Sequence, residues 1–240
     1  LAFHALGEAA SRAAGGAGHS VGEVAALAAT GIVSDERAMH LVGERGRAMA
    51  AAAGEAATGM AAVVGGVEDD VLAAISDAGL EPANYNGGGQ IVAAGSREGL
   101  AALGENAPRG ARVIPLQVAG AFHTRYMASA RPALQNAVET ASADGVQAPD
   151  RTLWTNSDGT IVTDGARALE LIVHQITSPV RWDLCMSSFA DAGITGMIEL
   201  APAGALVGLA KRGLRGVPTV AVKTPDDLEA AVAMLNGDNA

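Results

Sequence analysis

The sequence predicts an α/β fold in which a smaller domain interrupts a main one. Three observations point there. Short apolar runs alternate with helix-like runs through the second half of the chain. The texture changes at Thr58 and changes back after about residue 119. Apolar residues make up 49% of the 240, enough for a substantial core.

Residues 1–13 are alanine-rich and read as a short helix. Residues 15–22 form a tight glycine-rich passage, and the stretch before it, 13–17, is a poor strand because glycine weakens strands. Residues 23–29 read as a helix stopped by Gly31. Ser34 is a good N-cap for a longer helix carrying Arg37, Glu44, Arg45 and Arg47. From residue 58 the expected order is a strand at 60–64 ending in Gly65-Gly66, a helix at 68–78, and strands at 82–86 and 90–94 around Gly87-Gly88-Gly89. A helix capped by Ser96 runs to about 105, and a strand follows at 113–118. That order, βαββαβ, is the ferredoxin-like one, and it places an inserted domain at 58–119. The remaining residues, 1–57 and 120–240, form the main domain. There we expect a long helix from 124 to about 143, strands at 152–156 and 160–162, and helices at 165–176 and 183–191. A strand at 194–200, a helix at 204–213, a strand at 217–222 and a helix from Pro225 follow. Strands alternating with helices imply a largely parallel sheet.

Composition narrows the function classes. The net charge of −10 makes phosphate backbones and anionic membrane surfaces poor partners. A local basic cluster, Lys211, Arg212 and Arg215, stands out against it. The lone Cys185 forbids an internal disulfide and fits a reducing cytoplasm. No run of 18 apolar residues is present, and the start of the chain lacks a signal-peptide pattern, although it begins with Leu1 instead of Met. No spacing of His, Cys, Asp or Glu suggests a metal site.

The strongest local signal is Gly18-His19-Ser20-Val21-Gly22, of the form G-x-S-x-G. Glycines on both sides allow a strained turn that projects the Ser20 hydroxyl into an α/β-hydrolase-like site. The turn also leaves the Val21 N–H at a helix N-terminus, where it can stabilise an oxyanion. A serine nucleophile needs a base. His19 adjoins the serine, but neighbouring side chains on such an elbow point apart, and His40 sits within a helix. His123 follows a strand and opens a helix, where catalytic groups collect in parallel α/β sheets.

Ser20 in GHSVGE, Arg45 in ERGRAM and His123 in GAFHT resemble the malonyl-CoA:acyl carrier protein transacylases and the related acyltransferase domains of polyketide synthases. Asn84 and Asn86 in NYNGGGQIVAAG, Gln175 in HQITSPVRW, and ELAPAGALVGLAKR add to the likeness. The resemblance implies that Ser20 takes a malonyl ester from malonyl-CoA and passes it to the phosphopantetheine thiol of an acidic acyl carrier protein, with no cofactor. It implies that His123 is the base, held by the backbone carbonyl of Gln175, and that Arg45 pairs with the malonyl carboxylate. Phe122 and Val21 match malonyl-selective relatives, or else are core packing. Asn84, Asn86 and Asn156 either shape the site or cap turns. The basic cluster is the candidate docking surface for the carrier protein.

The family begins with a strand and a Gly-Gln-Gly loop that supplies a second oxyanion N–H. Nothing like it precedes Leu1, and Gly89-Gln90 stands in another context. The expectation is therefore a chain short of its N-terminal part, with weak turnover as it stands. Three other readings compete: an acyltransferase domain from a polyketide synthase, an α/β-hydrolase esterase, and a non-catalytic remnant. The esterase fold wants its histidine near the C-terminus and an acid before it, and His123 lies mid-chain.

Overall fold

The computed structural model describes residues 1–143 and 145–238. The chain opens with α1 (Ala2–Ala5), a 3₁₀ segment (Gly7–Arg12) and β1 (Gly15–Gly16). Next come α2 (Gly22–Ala29) and α3 (Asp35–Ala53). The single helix expected over 1–13 is thus two short pieces. The glycine-rich stretch read as a poor strand does pair, with β6 (Thr152–Trp154), in parallel. Its glycine has a packing cause: a Cβ on Gly15 would lie 2.5 Å from the Trp154 ring and 2.6 Å from the Thr152 carbonyl oxygen. Close approach to a buried indole, not a turn, demands glycine there.

The next strands and helices are β2 (Thr58–Gly65), α4 (Glu68–Asp77), β3 (Glu81–Gly87), β4 (Gln90–Ser96), α5 (Arg97–Glu105) and β5 (Ala111–Pro115). Every element expected between 58 and 119 is present in order, with the last strand ending at 115 instead of 118. The four strands pair antiparallel in the order β5-β2-β4-β3. Val71, Ile75 and Leu103, from α4 and α5, pack with Val63 and Ile91 on one face of the sheet. Met60, Ala62, Val92 and Ala121 lie together in a separate cluster. Burying each large aliphatic side chain here contributes about 1.5–3 kcal/mol.

A 3₁₀ segment (Arg125–Ala130) and α6 (Arg131–Ser142) replace the one long helix expected from 124. Pro132 in the first turn of α6 marks the break. Beyond β6 lie β7 (Ile161–Val162), α7 (Gly165–Gln175), β8 (Val180–Arg181) and α8 (Trp182–Asp191). The chain then runs through β9 (Met197–Glu199), α9 (Ala205–Gly213), β10 (Thr219–Ala221), a 3₁₀ turn (Pro225–Asp227) and α10 (Leu228–Asn236). β8 is a strand the sequence reading did not contain. It adds to β3 in parallel, making a five-stranded sheet that crosses the expected boundary at 119.

The expected parallel sheet is present in pieces. β1 and β6 pair in parallel with β7 antiparallel at the far side, while β9 and β10 form a separate parallel pair. The main core gathers Leu27, Leu41, Met49, Leu134, Leu153 and Ile172 from α2, α3, α6, β6 and α7. A second cluster packs Trp154, Trp182, Phe189 and Leu209. With so few aromatic residues, the two tryptophans and Phe189 are concentrated here in edge-to-face pairs.

Candidate active site

The turn between β1 and α2 carries Ser20 at φ 54°, in the left-handed region. A non-glycine residue there is strained and must be held by its surroundings. Three bonds hold it. The Ser20 N–H donates to Asn156 Oδ1 at 2.7 Å, and the Gly22 and Glu23 N–H groups donate to the carbonyls of His19 and Ser20, both at 3.0 Å. Asn156 closes the clamp by donating from Nδ2 to the Gly18 carbonyl at 2.7 Å. The two glycines that flank the turn are not equivalent. A Cβ on Gly18 would stand 1.9 Å from the Gly22 carbonyl carbon, whereas one on Gly22 meets nothing within 4 Å. Steric necessity rests on Gly18 alone. Val21 precedes the first residue of α2, so its N–H belongs to the free donors of that helix start.

His123 also has a positive φ, 62°, and is buried. Its loop is tied down on both sides. The Ala121 N–H donates to Thr58 Oγ1 at 3.0 Å, and Thr124 Oγ1 donates to the Ala121 carbonyl at 2.7 Å. The imidazole Nε2 lies 2.6 Å from Ser20 Oγ, and Nδ1 lies 2.8 Å from the Gln175 carbonyl oxygen. A carbonyl can only accept, so Nδ1 carries the proton and Nε2 presents its lone pair to the serine. Burial pushes the His123 pKa down to about 4; the Gln175 carbonyl opposes this and the Arg45 charge adds to it. The base form is therefore present at every pH well above 4. Any reaction using this base should have a rate level between about pH 6 and 8, and an acid limb that falls as pH drops through about 4. A limb near the ordinary histidine value, in a kcat/KM profile, would show that His123 is not the titrating base.

Arg45 lies on the buried stripe of α3 with Ala38, Leu41 and Met49, not on its solvent face. One Nη2 donates to Ser20 Oγ at 3.1 Å and to Gln175 Oε1 at 3.0 Å, while the buried Nε has no hydrogen-bond partner. Burial lowers the guanidinium pKa to about 10, with the Glu23 charge opposing the shift, so it remains a cation at neutral pH. Gln175 does more than the sequence reading gave it. Besides its backbone carbonyl, its Nε2 donates to the Ser20 carbonyl at 3.0 Å and to Glu23 Oε2 at 2.5 Å. Glu23 Oε1 accepts the Asn156 N–H at 2.9 Å.

Ser20, His123, Gln175, Arg45 and Asn156 thus meet at one point. Asn86 is one step removed: its Oδ1 bonds His19 Nε2 at 2.9 Å and its Nδ2 donates to Gln90. His19 bonds Asn86 and sets its ring edge-on to Trp182. Asn84 is buried on β3, where it pairs with Val92 and Val180. Phe122 is half-buried between two hydrophobic clusters. Lys211, Arg212 and Arg215 are exposed and stand apart, at the end of α9, with Arg212 lying against Gly88 of the β3–β4 turn. Among the described residues, no group of three or more His, Cys, Asp or Glu could hold a metal ion.

The family model described as acyl transferase domain matches residues 3–233. The chain belongs to the acyl transferase domain family. A malonyl CoA-acyl carrier protein transacylase of Mycolicibacterium smegmatis is 49% identical over 217 residues, which is 89% of this chain and 74% of that protein. The crystal structure of MCAT from Mycobacterium tuberculosis is 44% identical, with a TM-score of 0.89 over 96% of this chain and 78% of that one. A type II PKS acyl-carrier protein in complex with its malonyl-transacylase contains a chain 27% identical, with a TM-score of 0.85 over 92% of this chain and 72% of that one. In this acyl transferase, the residue the sequence reading passed over is Glu23. It stands in the quoted GHSVGE run, and an acid in the first turn after an elbow reads as an ordinary helix-dipole partner. Its burial, to 3% exposure, is what sets it apart.

Proposed function

We propose that the chain moves a malonyl group from malonyl-CoA to the phosphopantetheine thiol of an acyl carrier protein through an ester on Ser20. The observation that carries this is Ser20 Oγ held at 2.6 Å from His123 Nε2 and 3.1 Å from Arg45 Nη2, in a member of the acyl transferase family. His123 Nε2 takes the Ser20 proton as Oγ attacks the thioester carbonyl. The Val21 N–H faces the developing oxyanion. The C–S bond breaks, and the CoA sulfur takes the proton from His123, leaving malonyl-Ser20. In the second half-reaction the carrier thiol gives its proton to His123 and attacks the ester, and Ser20 Oγ recovers the proton as it leaves. Arg45 pairs with the malonyl carboxylate, for which its unpartnered Nε and remaining N–H groups are suited. These steps use the donor, the acceptor thiol and this chain's own residues.

Supporting roles follow. Asn156 clamps the elbow, Asn86 holds His19, and Asn84 lies on the same strand beside them. Phe122 restricts room beside the acyl C2 and so disfavours an α-methyl. We assign 58–119 to the small domain and 1–57 with 120–240 to the main one, of which residues 144, 239 and 240 lie outside those described. The malonyl thioester feeds chain extension in cytoplasmic fatty acid synthesis. To test the reading, the protein is charged with radiolabelled malonyl-CoA and then mixed with carrier protein. Label passing to the carrier thiol supports transfer, whereas label released to water would point to an esterase.

The carrier protein, acidic in this reading, docks on Lys211, Arg212 and Arg215, beside the turn that ends the strand carrying Asn84 and Asn86. An acidic chain attracts an acidic partner only through a local patch. Reversing the three charges should raise the KM for carrier protein about tenfold or more at low salt and leave that for malonyl-CoA near its original value. An unchanged carrier KM removes this surface.

A further inference from the structure

We propose that Glu23 is a positioning residue: through the side-chain amide of Gln175 it sets the direction of the Arg45 guanidinium, and with it the preference for carboxylated acyl groups. The inference rests on the reading of Arg45 as the carboxylate clamp. The Gln175 amide lies between a carboxylate and a guanidinium, at 2.5 Å from Glu23 Oε2 and 3.0 Å from Arg45 Nη2. Arg45 can only donate. The Glu23 carboxylate and the Ser20 carbonyl can only accept, and both face the same end of the amide. One orientation satisfies all three: Nε2 toward Glu23 and Ser20, Oε1 toward Arg45. Glu23 makes the shortest of the bonds that hold Nε2, with the Ser20 carbonyl and Asn156 Oδ1 as weaker acceptors, so the buried carboxylate reinforces the direction of Gln175, and Gln175 Oε1 in turn directs the guanidinium.

The spacing matters as well. Glu23 offsets the charge of buried Arg45 without pairing with it directly. A direct ion pair would occupy the guanidinium fork that a substrate carboxylate needs. With the amide interposed, Arg45 keeps Nε unpartnered. Glu23 Oε1 at the same time accepts the N–H of Asn156, whose side chain clamps Ser20. The carboxylate thus ties the nucleophile's clamp and the acyl-binding arginine to one buried group.

The test compares kcat/KM for malonyl-CoA and acetyl-CoA in Glu23→Gln, Gln175→Leu, the double variant and Arg45→Ala. Glu23→Gln presents an amide where two acceptors stood; the main-chain N–H of Asn156 cannot turn and keeps the amide oxygen, so the new N–H2 opposes Gln175 Nε2, whose side chain can flip. The malonyl-to-acetyl ratio should fall on the order of tenfold, chiefly through KM for malonyl-CoA. The double variant should lose no more of that ratio than Gln175→Leu alone, because Glu23 acts through that side chain. Equal losses on both substrates, or additive losses in the double variant, overturn the inference. If Arg45→Ala collapses the ratio while Glu23→Gln preserves it, only this inference fails. If Arg45→Ala preserves it, the clamp reading itself fails. Should Glu23→Gln not fold, Gln175→Leu reads the same link from the other side, and an unchanged ratio there is equally decisive against it.

Discussion

Replacing Ser20 with alanine should abolish the covalent malonyl adduct and cut transfer to carrier protein by about 10⁴-fold or more, the scale seen when a nucleophile is removed from a group of residues acting as a unit. The hydroxyl is the atom on which His123 Nε2 and Arg45 Nη2 converge. The lone thiol, Cys185, is a poor substitute as an acyl acceptor. It is buried, its Sγ donates to the Thr155 carbonyl at 3.2 Å, and burial pushes its pKa up to about 12, so a thiolate is scarce at neutral pH. The variant should fold, because the bonds that hold the strained turn involve the Ser20 main chain and the Asn156 side chain, which remain. Intact-mass measurement after mixing with malonyl-CoA checks the result. An adduct persisting in the alanine variant would place the acyl group elsewhere and end the seryl-ester mechanism.

Arg45→Ala should carry the next largest effect. A charge-assisted hydrogen bond is worth about 1.5–3 kcal/mol, roughly ten- to a hundredfold, and more when the partner anion is left buried. The substrate carboxylate would then lie in a site that still contains buried Glu23, with no cation to offset either charge. Malonyl transfer should fall by at least that factor, and acetyl transfer should fall less. Arg45→Lys should recover little, because an ammonium cannot bond Gln175 Oε1 and fork onto a carboxylate in the same geometry. Steady-state rates on the two CoA esters decide it, and equal losses on both would remove the clamp.

The tight turn at Ser20 and the histidine that meets it were readable as candidates in the sequence, the turn by a local rule and the histidine by its family context. Ser20 sits in G-x-S-x-G ahead of a helix; His123 was expected to follow a strand of the parallel sheet, but it lies in a loop eight residues past the antiparallel β5, just before a 3₁₀ segment. The βαββαβ order of 58–115 was legible too, since the strands are short and glycines or a capping serine such as Ser96 punctuate them, although β3 itself is largely polar. The two-residue strand β8 was not. Val180 and Arg181 carry no periodic pattern, and they are a strand only because β3 presents an open edge to them. The break between the 3₁₀ segment and α6 was signalled by Pro132, but the apolar periodicity running across it reads as one helix.

What the sequence determined by itself is therefore the chemistry available and its order along the chain: a serine on a tight turn, a histidine ahead of a helical turn, an arginine on a helix, all carried on alternating strands and helices. What only the tertiary structure decided is which groups share a buried space. Arg45 and Glu23 are charged residues on helices, and helical pattern alone leaves such residues on the solvent face. Packing of α2, α3 and α7 turns both inward against Gln175, where removal from water makes each depend on a specific partner. Hydrogen-bond direction in that space, not residue type, assigns Gln175 its orientation. Direction is a property of three segments brought together from positions 23, 45 and 175, which no local pattern can encode.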